Sequence, residues 1–230
     1  MTNSTFIHIA EIEEVRDTFD YLYELSQILD TSRLDRFENE ILRFEGIDSV
    51  IPVKQNQILF IGSSSIRKWK TLHDDMEPLY VIQRGFGGST IPEVIFYARR
   101  IIFPYAPKTI VIYAGENDLV SSKVQAEDVL KTCKLFVKTI KYYLPETHIY
   151  FVSIKPSIAR LKYLDKMLKA NVLIKKYTQE EKIVDFIDVS SSMLDRKGNV
   201  KENIFIHDNL HLNEKGYKIW TKKIKKHLLN

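Results

Sequence analysis

Residues 58–65 read Ile-Leu-Phe-Ile-Gly-Ser-Ser-Ser, which places four apolar residues directly before a glycine and three serines. A short, uninterrupted apolar run is typical of a strand buried on both faces, as in a parallel sheet. The serines then follow the carboxyl end of that strand, where the functional groups of parallel α/β sheets gather. This stretch therefore predicts a parallel sheet and offers a hydroxyl nucleophile at its edge. A helix N-cap would explain the serines equally well, since serine commonly fills that position.

The rest of the chain alternates between strand-like and helical segments. Apolar runs predict further strands at 79–82, 109–113, 149–152 and 183–187. Apolar residues at helical spacing predict helices at 92–102, 123–143, 162–180 and 214–228. The longest of these helices is expected to start after Ser122, with Gln125 completing a capping box. This alternation indicates an α/β protein with a mostly parallel, five-stranded sheet covered by helices on both faces.

Two amphipathic helices are predicted before the first strand. Their apolar stripes fall within 12–29 and 34–44, and the second helix is expected to end near Gly46. The chain is accordingly divided into an N-terminal helical extension, 1–46, and an α/β domain, 47–230. The two helices could cap the domain, cover the sheet or join two copies into a homo-oligomer.

Composition and charge restrict the class of protein. The chain is 44% hydrophobic and 28% charged, as in an ordinary globular protein. Its net charge of +4 is too small to indicate a nucleic-acid partner, and the lysines at 222–226 fit a solvated helix face. No apolar run approaches membrane-spanning length and no secretory signal is visible at the N-terminus. We therefore expect a cytoplasmic protein without stable membrane insertion.

The cysteine content limits the chemistry further. Cys133 is the single cysteine, which excludes an intrachain disulfide and a metal site built from several cysteines. It falls in the apolar stripe of a predicted helix, so a buried, inert thiol is expected.

Two glycine-containing blocks follow the second and third predicted strands. Gly85-Phe86-Gly87-Gly88 is either a turn that needs positive φ or a loop whose backbone N–H faces a reacting oxygen. A phosphate cradle is less favoured, because the spacing of phosphate-binding motifs is missing. In the block 115–118, Asn117 is either a turn residue or an amide donor to an oxyanion, and Asp118 is a candidate helix cap.

The fourth block, 208–211, places Asp208 three residues before His211. One turn of chain could bring the carboxylate to Nδ1–H of the imidazole, which would leave Nε2 free to act as a base. His207 is a neighbouring alternative, but it lacks an acid at this spacing on its N-terminal side. Nucleophile, oxyanion donors and oriented base are the groups that acyl transfer needs together.

Taken together, the four blocks resemble the SGNH (GDSL-type) esterase and lipase family over about residues 57–230. The resemblance implies a flavodoxin-like three-layer α/β/α sandwich and ester hydrolysis with neither a metal nor an organic cofactor. The family's Gly-Asp-Ser block falls on 62–64, which makes Ser64 the nucleophile. The resemblance further implies an oxyanion hole formed by Ser64, Gly88 and Asn117, and a triad completed by His211 and Asp208.

Two positions depart from the family pattern. Ser63 stands where the family usually has aspartate, and Gln83 stands where asparagine commonly precedes the glycine block. The first departure leaves Ser63 and Ser65 as alternative nucleophiles beside Ser64. Arg67 and Trp69 are as consistent with a structural role as with a functional one.

The expected partner is a small-molecule ester, either a short-chain acyl ester, an acetylated sugar or a lysophospholipid. The sequence leaves two alternatives to hydrolysis. The same groups could pass the acyl group to an alcohol, or the fold could be retained in a non-catalytic module that binds carbohydrate or lipid.

Overall fold

The computed structural model describes Tyr23, Ser26, Gln27 and residues 35–51 and 53–229. Within them lies one five-stranded sheet, ordered β2-β1-β3-β4-β5, in which every neighbouring pair is parallel. Its strands are β1 Ile58–Gly62, β2 Val81–Gly85, β3 Thr109–Tyr113, β4 His148–Val152 and β5 Val184–Ile187. This order is that of a flavodoxin-like sheet, with the switch in direction between β1 and β3.

Helices cover both faces of the sheet. They are α1 Glu38–Val50, α2 Ser64–Arg67, α3 Leu72–Met76, α4 Ile91–Phe96, α5 Ala98–Ile101, α6 Ala126–Tyr143, α7 Leu164–Thr178 and α8 Glu214–Leu228. Successive strand residues point to opposite faces. Leu59 and Ile61 join the core under α1, α4, α5, α6 and α7, whereas Ile58 and Phe60 join the core under α2, α3 and α8. The predicted three-layer α/β/α fold is thereby confirmed.

The predicted bounds of β2 and of three helices were wrong. β2 was predicted at 79–82 but starts at Val81 and ends at Gly85, because its interior residues Gln83 and Arg84 are polar. Gln83 donates to the carbonyls of Ile66 and Trp69, and Arg84 donates to the hydroxyl of Tyr105. Polar residues with partners therefore sit inside a strand that the apolar pattern did not reveal.

Two helices also differ from their predicted bounds. The helix predicted at 92–102 is broken at Tyr97, whose ψ of 2° lies outside the helical region. Its buried ring packs edge-on against Phe86 and Phe96. The helix predicted from Ser122 begins at Ala126, because the side chain of Asp128 accepts the Gln125 N–H at 2.8 Å and completes the capping box there.

The helix predicted to end near Gly46 continues to Val50. A glycine inside a helix costs about 1 kcal/mol relative to alanine, and contacts on either side of it outweigh that cost. Arg100 pairs with Glu45, and Arg84 pairs with Asp48. The boundary 46/47 therefore lies inside α1, and the division into domains stays a prediction. The first predicted N-terminal helix, within 12–29, lies outside the described residues except for Tyr23, Ser26 and Gln27.

The side chains of α1 dock on the sheet layer. Ile41 and the preceding Phe37 are buried in the core, with Phe37 edge-on to Phe86. Over the described residues, no helix combines the length and the apolar character that crossing a membrane would require.

Candidate active site

Ser64, His211 and Asp208 form one continuous chain of hydrogen bonds. Ser64 Oγ lies 2.9 Å from His211 Nε2, and His211 Nδ1 lies 2.6 Å from Asp208 Oδ2. Ser64 is the first residue of α2, and the Asp208–His211 loop precedes α8. Residues 147 positions apart in the sequence are thus brought into contact. Because α2 follows the carboxyl end of β1, the contact lies where parallel sheets hold their functional groups.

The turn that presents Ser64 depends on Gly62. Gly62 has a φ of 123°, and a Cβ atom there would lie 2.0 Å from the carbonyl oxygen of Tyr113. Only glycine tolerates such a close approach by the neighbouring strand. Ser64 can therefore lie two residues after the end of β1, where its hydroxyl contacts the histidine.

The neighbouring candidates do not share this contact. Ser63 and Ser65 are each 1% exposed, and no hydrogen bond joins either side chain to His211 in the described structure. The backbone of Ser63 accepts from Ile66 N–H and Arg67 N–H, as expected at the start of a helix. His207 is exposed.

Asp208 is held as an ionised hydrogen-bond acceptor. Its Oδ1 accepts the backbone N–H groups of Leu210 and His211, each at 2.9 Å. Burial alone would raise the pKa of this carboxyl, but the bonds from the His211 side chain and from both backbone N–H groups outweigh it. The pKa of Asp208 lies well below its ordinary value as a result, so the carboxylate stays charged at neutral pH.

The tautomer of His211 follows from its two neighbours at Nδ1. Asp208 Oδ2 approaches this nitrogen at 2.6 Å, and the ammonium group of Lys68 at 3.3 Å. The carboxylate can only accept, so the shorter contact requires a proton on Nδ1. In the neutral imidazole, Nε2 is then the unprotonated nitrogen, and it accepts from the Ser64 hydroxyl.

The predicted oxyanion donors lie in adjoining loops. Gly88 has a φ of 88°. Asn117 Nδ2 donates at 2.9 Å to the carbonyl of Ser89, the residue after Gly88, and this bond joins the two loops. Ser64 N–H is at the first position of α2, where a backbone N–H has no acceptor within the helix. Across the residues with described positions, no hydrogen bond satisfies Ser64 N–H or Gly88 N–H.

One arginine contacts the loop that contains Asn117 and another contacts the loop that contains Gly88, and neither contact was predicted from the sequence. Arg160 Nη2 donates to Asn117 Oδ1 at 2.9 Å. Arg36 donates to the Gly88 carbonyl at 3.1 Å and pairs with Glu93 through two nitrogens. Arg36 lies before α1, so the N-terminal segment contacts the loop that contains Gly88. Neither arginine belongs to a short motif, so only the fold reveals them.

The residue before Asn117 is a buried carboxylate that accepts hydrogen bonds from several donors. Glu116 is 4% exposed and accepts from Lys155, Tyr113 and Ser157. Burial would raise the pKa of Glu116, but the nearby charges of Lys155 and Arg160 and the hydrogen bonds lower it below its ordinary value. The one signal of this buried cluster in the sequence was Lys155, which lies three residues beyond a buried strand at the carboxyl edge of the sheet.

Asp118 joins the loop after β3 to the start of α4. Its Oδ1 accepts the Ile91 N–H at 3.1 Å, so it satisfies the free N–H of the first residue of α4. Its Oδ2 is buried and has no hydrogen-bond partner among the described residues. Burial raises the pKa of Asp118 to about 7.

Trp69 and Arg67, the two other residues singled out in the sequence, differ in burial. Trp69 is fully buried, and its ring stacks on Tyr217 with centroids 5.0 Å apart, which is a structural role. Arg67 is half exposed and lies against Gly87, where a Cβ atom would come within 2.7 Å of its guanidinium carbon.

Comparison with protein families agrees with this geometry. Residues 61–219 match the model of the GDSL-like Lipase/Acylhydrolase family, which is more than half of the chain. The chain belongs to the GDSL-like lipase/acylhydrolase family. All four blocks that carried the resemblance lie within the matched residues.

Solved structures share the fold of this family member at low sequence identity. A Streptococcus pneumoniae protein named for platelet activating factor has a TM-score of 0.74 and 22% identity, covering 88% of this chain and 97% of that one. A GDSL-like lipase from Bacteroides thetaiotaomicron has a TM-score of 0.71 and 18% identity, covering 82% and 97%. A Geobacillus acetyl-xylooligosaccharide esterase has a TM-score of 0.62 and 13% identity, covering 77% and 96%.

One curated relative carries a different kind of name. The chain is 24% identical over 219 residues to N-acylneuraminate cytidylyltransferase from Escherichia coli O18:K1:H7. The match takes in 91% of this chain but 49% of that protein. The chain thus spans about half the length of the curated relative it matches.

Proposed function

We propose that this family member hydrolyses carboxylic esters with Ser64 as the nucleophile, His211 as the base and Asp208 as the group that orients the base. The observation that carries the proposal is the continuous chain of hydrogen bonds from Asp208 through His211 to Ser64. Serine is a weak nucleophile until an adjacent base takes its proton, and the base needs a third group to fix its tautomer. The proposal assigns each of these tasks to a residue already in position.

The reaction would proceed through an acyl-enzyme. Ser64 Oγ attacks the ester carbonyl carbon while His211 Nε2 takes the hydroxyl proton. The tetrahedral oxyanion accepts hydrogen bonds from Ser64 N–H, Gly88 N–H and the Asn117 amide. Its collapse breaks the carbon–oxygen bond of the ester, and His211 gives its proton to the leaving alcohol. Water, deprotonated by His211, then attacks the acyl-enzyme and releases the acid and free Ser64.

The charge on Asp208 supports this cycle. The carboxylate remains ionised when His211 becomes an imidazolium, so it stabilises the cation that forms in each proton transfer. The two backbone bonds to Oδ1 leave Oδ2 for the imidazole and limit how far the carboxylate can rotate.

The substrate we propose is a small ester: a short-chain acyl ester, an acetylated sugar or a lysophospholipid. The acetyl-xylooligosaccharide esterase among the structural relatives supports the inclusion of acetylated sugars. Cytidylyl transfer is not carried over, because the chain spans only half of the relative that bears that name. A cytoplasmic location and self-association through the N-terminal segment are further proposals.

The first test is esterase turnover with a matched serine control. Wild-type protein is expected to release p-nitrophenol from p-nitrophenyl acetate, with an initial burst if deacylation is slow. Ser64→Ala should lower kcat by about 10⁴-fold or more, whereas Ser65→Ala, one residue away and without the histidine contact, should stay within about tenfold. Equal activity of wild type and Ser64→Ala would contradict the proposal.

The same assay separates the alternatives. An acyltransferase would release p-nitrophenol faster when a suitable alcohol is added, and the acyl ester of that alcohol would accumulate. A binding module would show neither burst nor turnover, although it would still bind an ester or a sugar.

A further inference from the structure

We propose that Arg160 is a positioning residue, which holds the side-chain amide of Asn117 so that one N–H faces the developing oxyanion. The inference rests on the proposed function, since it deepens the role given there to Asn117. Arg160 lies outside the four sequence blocks, in a 3-10 segment, Ile158–Tyr163, after β4.

The contacts of Asn117 leave its amide one orientation. Arg160 Nη2 donates to Oδ1, and Nδ2 donates to the carbonyl of Ser89, both at 2.9 Å. A guanidinium can only donate and a backbone carbonyl can only accept, so exchanging Oδ1 and Nδ2 would break both bonds. One N–H of Nδ2 therefore stays available, with its direction set by the other two bonds.

The side chain of Arg160 is itself held in place by a buried carboxylate. Its Nη1 lies 3.4 Å from Glu116 Oε1, and its side chain is 18% exposed. Glu116 is fixed in turn by Lys155 Nζ at 2.9 Å and by the Tyr113 hydroxyl at 2.6 Å. These groups are buried. The guanidinium is thus anchored on one side by a rigid buried carboxylate and contacts Asn117 on the other.

The same segment also contacts the loop of the base. Ala159 N–H donates to the carbonyl of Asn209, which lies between Asp208 and His211. The residues around Arg160 therefore touch both the proposed oxyanion donor and the loop of the proposed triad. This location favours a role in alignment, because small displacements of a catalytic group cost large factors in rate.

A double-mutant cycle tests whether Arg160 acts through Asn117. The substrate is neutral p-nitrophenyl acetate, and the variants are Arg160→Met, Asn117→Ala and the double variant. Arg160→Met should lower kcat by about 10- to 100-fold with a much smaller change in KM. In the Asn117→Ala background, the same substitution should cost less than about threefold, since the amide it positions is gone.

A conservative variant guards against loss of folding. Arg160→Met removes one cation from buried Glu116, so its melting temperature is measured alongside activity. Arg160→Lys keeps the charge but has no planar fork, and it should retain the wild-type melting temperature while recovering only part of kcat. Full activity of Arg160→Met would overturn the inference.

Other outcomes also decide the matter. Equal losses from Arg160→Met in both backgrounds would show that Arg160 acts independently of Asn117, and a rise confined to KM would make it a substrate-binding residue. Either result overturns the positioning role and leaves the proposed function standing. Undiminished kcat in Asn117→Ala alone would instead remove the oxyanion assignment on which the inference rests.

Discussion

At the scale of single residues, Asp118 carries a carboxyl group in surroundings that favour its neutral form. One oxygen accepts the Ile91 N–H, while the other is buried and unpartnered among the described residues. Burial raises its pKa from an ordinary 3.8 to about 7. The folded state therefore binds this proton more tightly than the unfolded chain does. The resulting stabilisation is complete below about pH 4 and is lost as the pH rises through about 7.

Asp118→Asn should remove this component of the pH dependence. The contribution of Asp118 lowers the free energy of unfolding by up to about 1.4 kcal/mol per pH unit between pH 5 and 7, and a neutral asparagine lacks it. Urea unfolding at pH 5, 6, 7 and 8 measures the free energies of unfolding of the wild type and of Asp118→Asn. Their difference should change in favour of the variant as the pH rises. Glu180→Gln, at an exposed position, is the control. Parallel curves for wild type and Asp118→Asn would contradict the assignment.

The residues of the candidate site divide into those that sequence could predict and those that it could not. Asp208 and His211 are three residues apart, and this spacing was enough to single them out. Ser64 was preferred to the adjacent Ser63 and Ser65 only through the family resemblance. Arg160 and Arg36 lack such patterns, because an isolated arginine in a sequence resembles any solvated surface residue. Their contacts depend on loops that the fold brings together from distant parts of the chain.

At the scale of elements, α1 is held to the rest of the molecule by one apolar face and several ion pairs. Ile41 is fully buried, whereas the adjacent Leu42 is 51% exposed. Glu38 and Glu45 both pair with Arg100, and Asp48 pairs with Arg84. The two pairs with Arg100 are partly exposed and individually weak, so burial of the apolar face should contribute more of the docking free energy than they do.

Adjacent residues of α1 give a matched test of this view. Ile41→Ala should lower the free energy of unfolding by about 2–4 kcal/mol, since it leaves a cavity in the core. Leu42→Ala removes a side chain of the same size from the exposed face and should change the free energy of unfolding by less than about 1 kcal/mol. Chemical unfolding of both variants decides the matter. Equal effects would mean that α1 does not dock through the Ile41 face.

Element types followed from the sequence more closely than element bounds did. Apolar runs marked each strand, since strands of a parallel sheet are covered on both faces. β2 was displaced because Gln83 and Arg84 occupy its interior, where their polar groups find partners that only the tertiary structure supplies. The break at Tyr97 was missed for a similar reason, since its apolar spacing continues across the break.

At the scale of the whole molecule, the sheet topology explains why the loops after β1, β2 and β3 lie at one edge of the sheet. β1, β2 and β3 are neighbours and run parallel, so the loops after them leave from the same edge. Ser64, Gly88 and Asn117 come shortly after the ends of these strands, and His211, in the loop before α8, contacts Ser64. The order of strands and helices predicted this convergence. It did not predict the N-terminal contact of Arg36 with Gly88, which depends on where α1 docks.

The most direct test of the central claim is to identify the serine that reacts with a fluorophosphonate probe. Such a probe phosphonylates a serine hydroxyl that a neighbouring base has activated, so it reports the nucleophile independently of the natural substrate. Peptide mapping by mass spectrometry should place one adduct, on Ser64, and His211→Ala should abolish labelling while the protein stays folded. An adduct on Ser63 or Ser65, or labelling that persists in folded His211→Ala, would contradict the account.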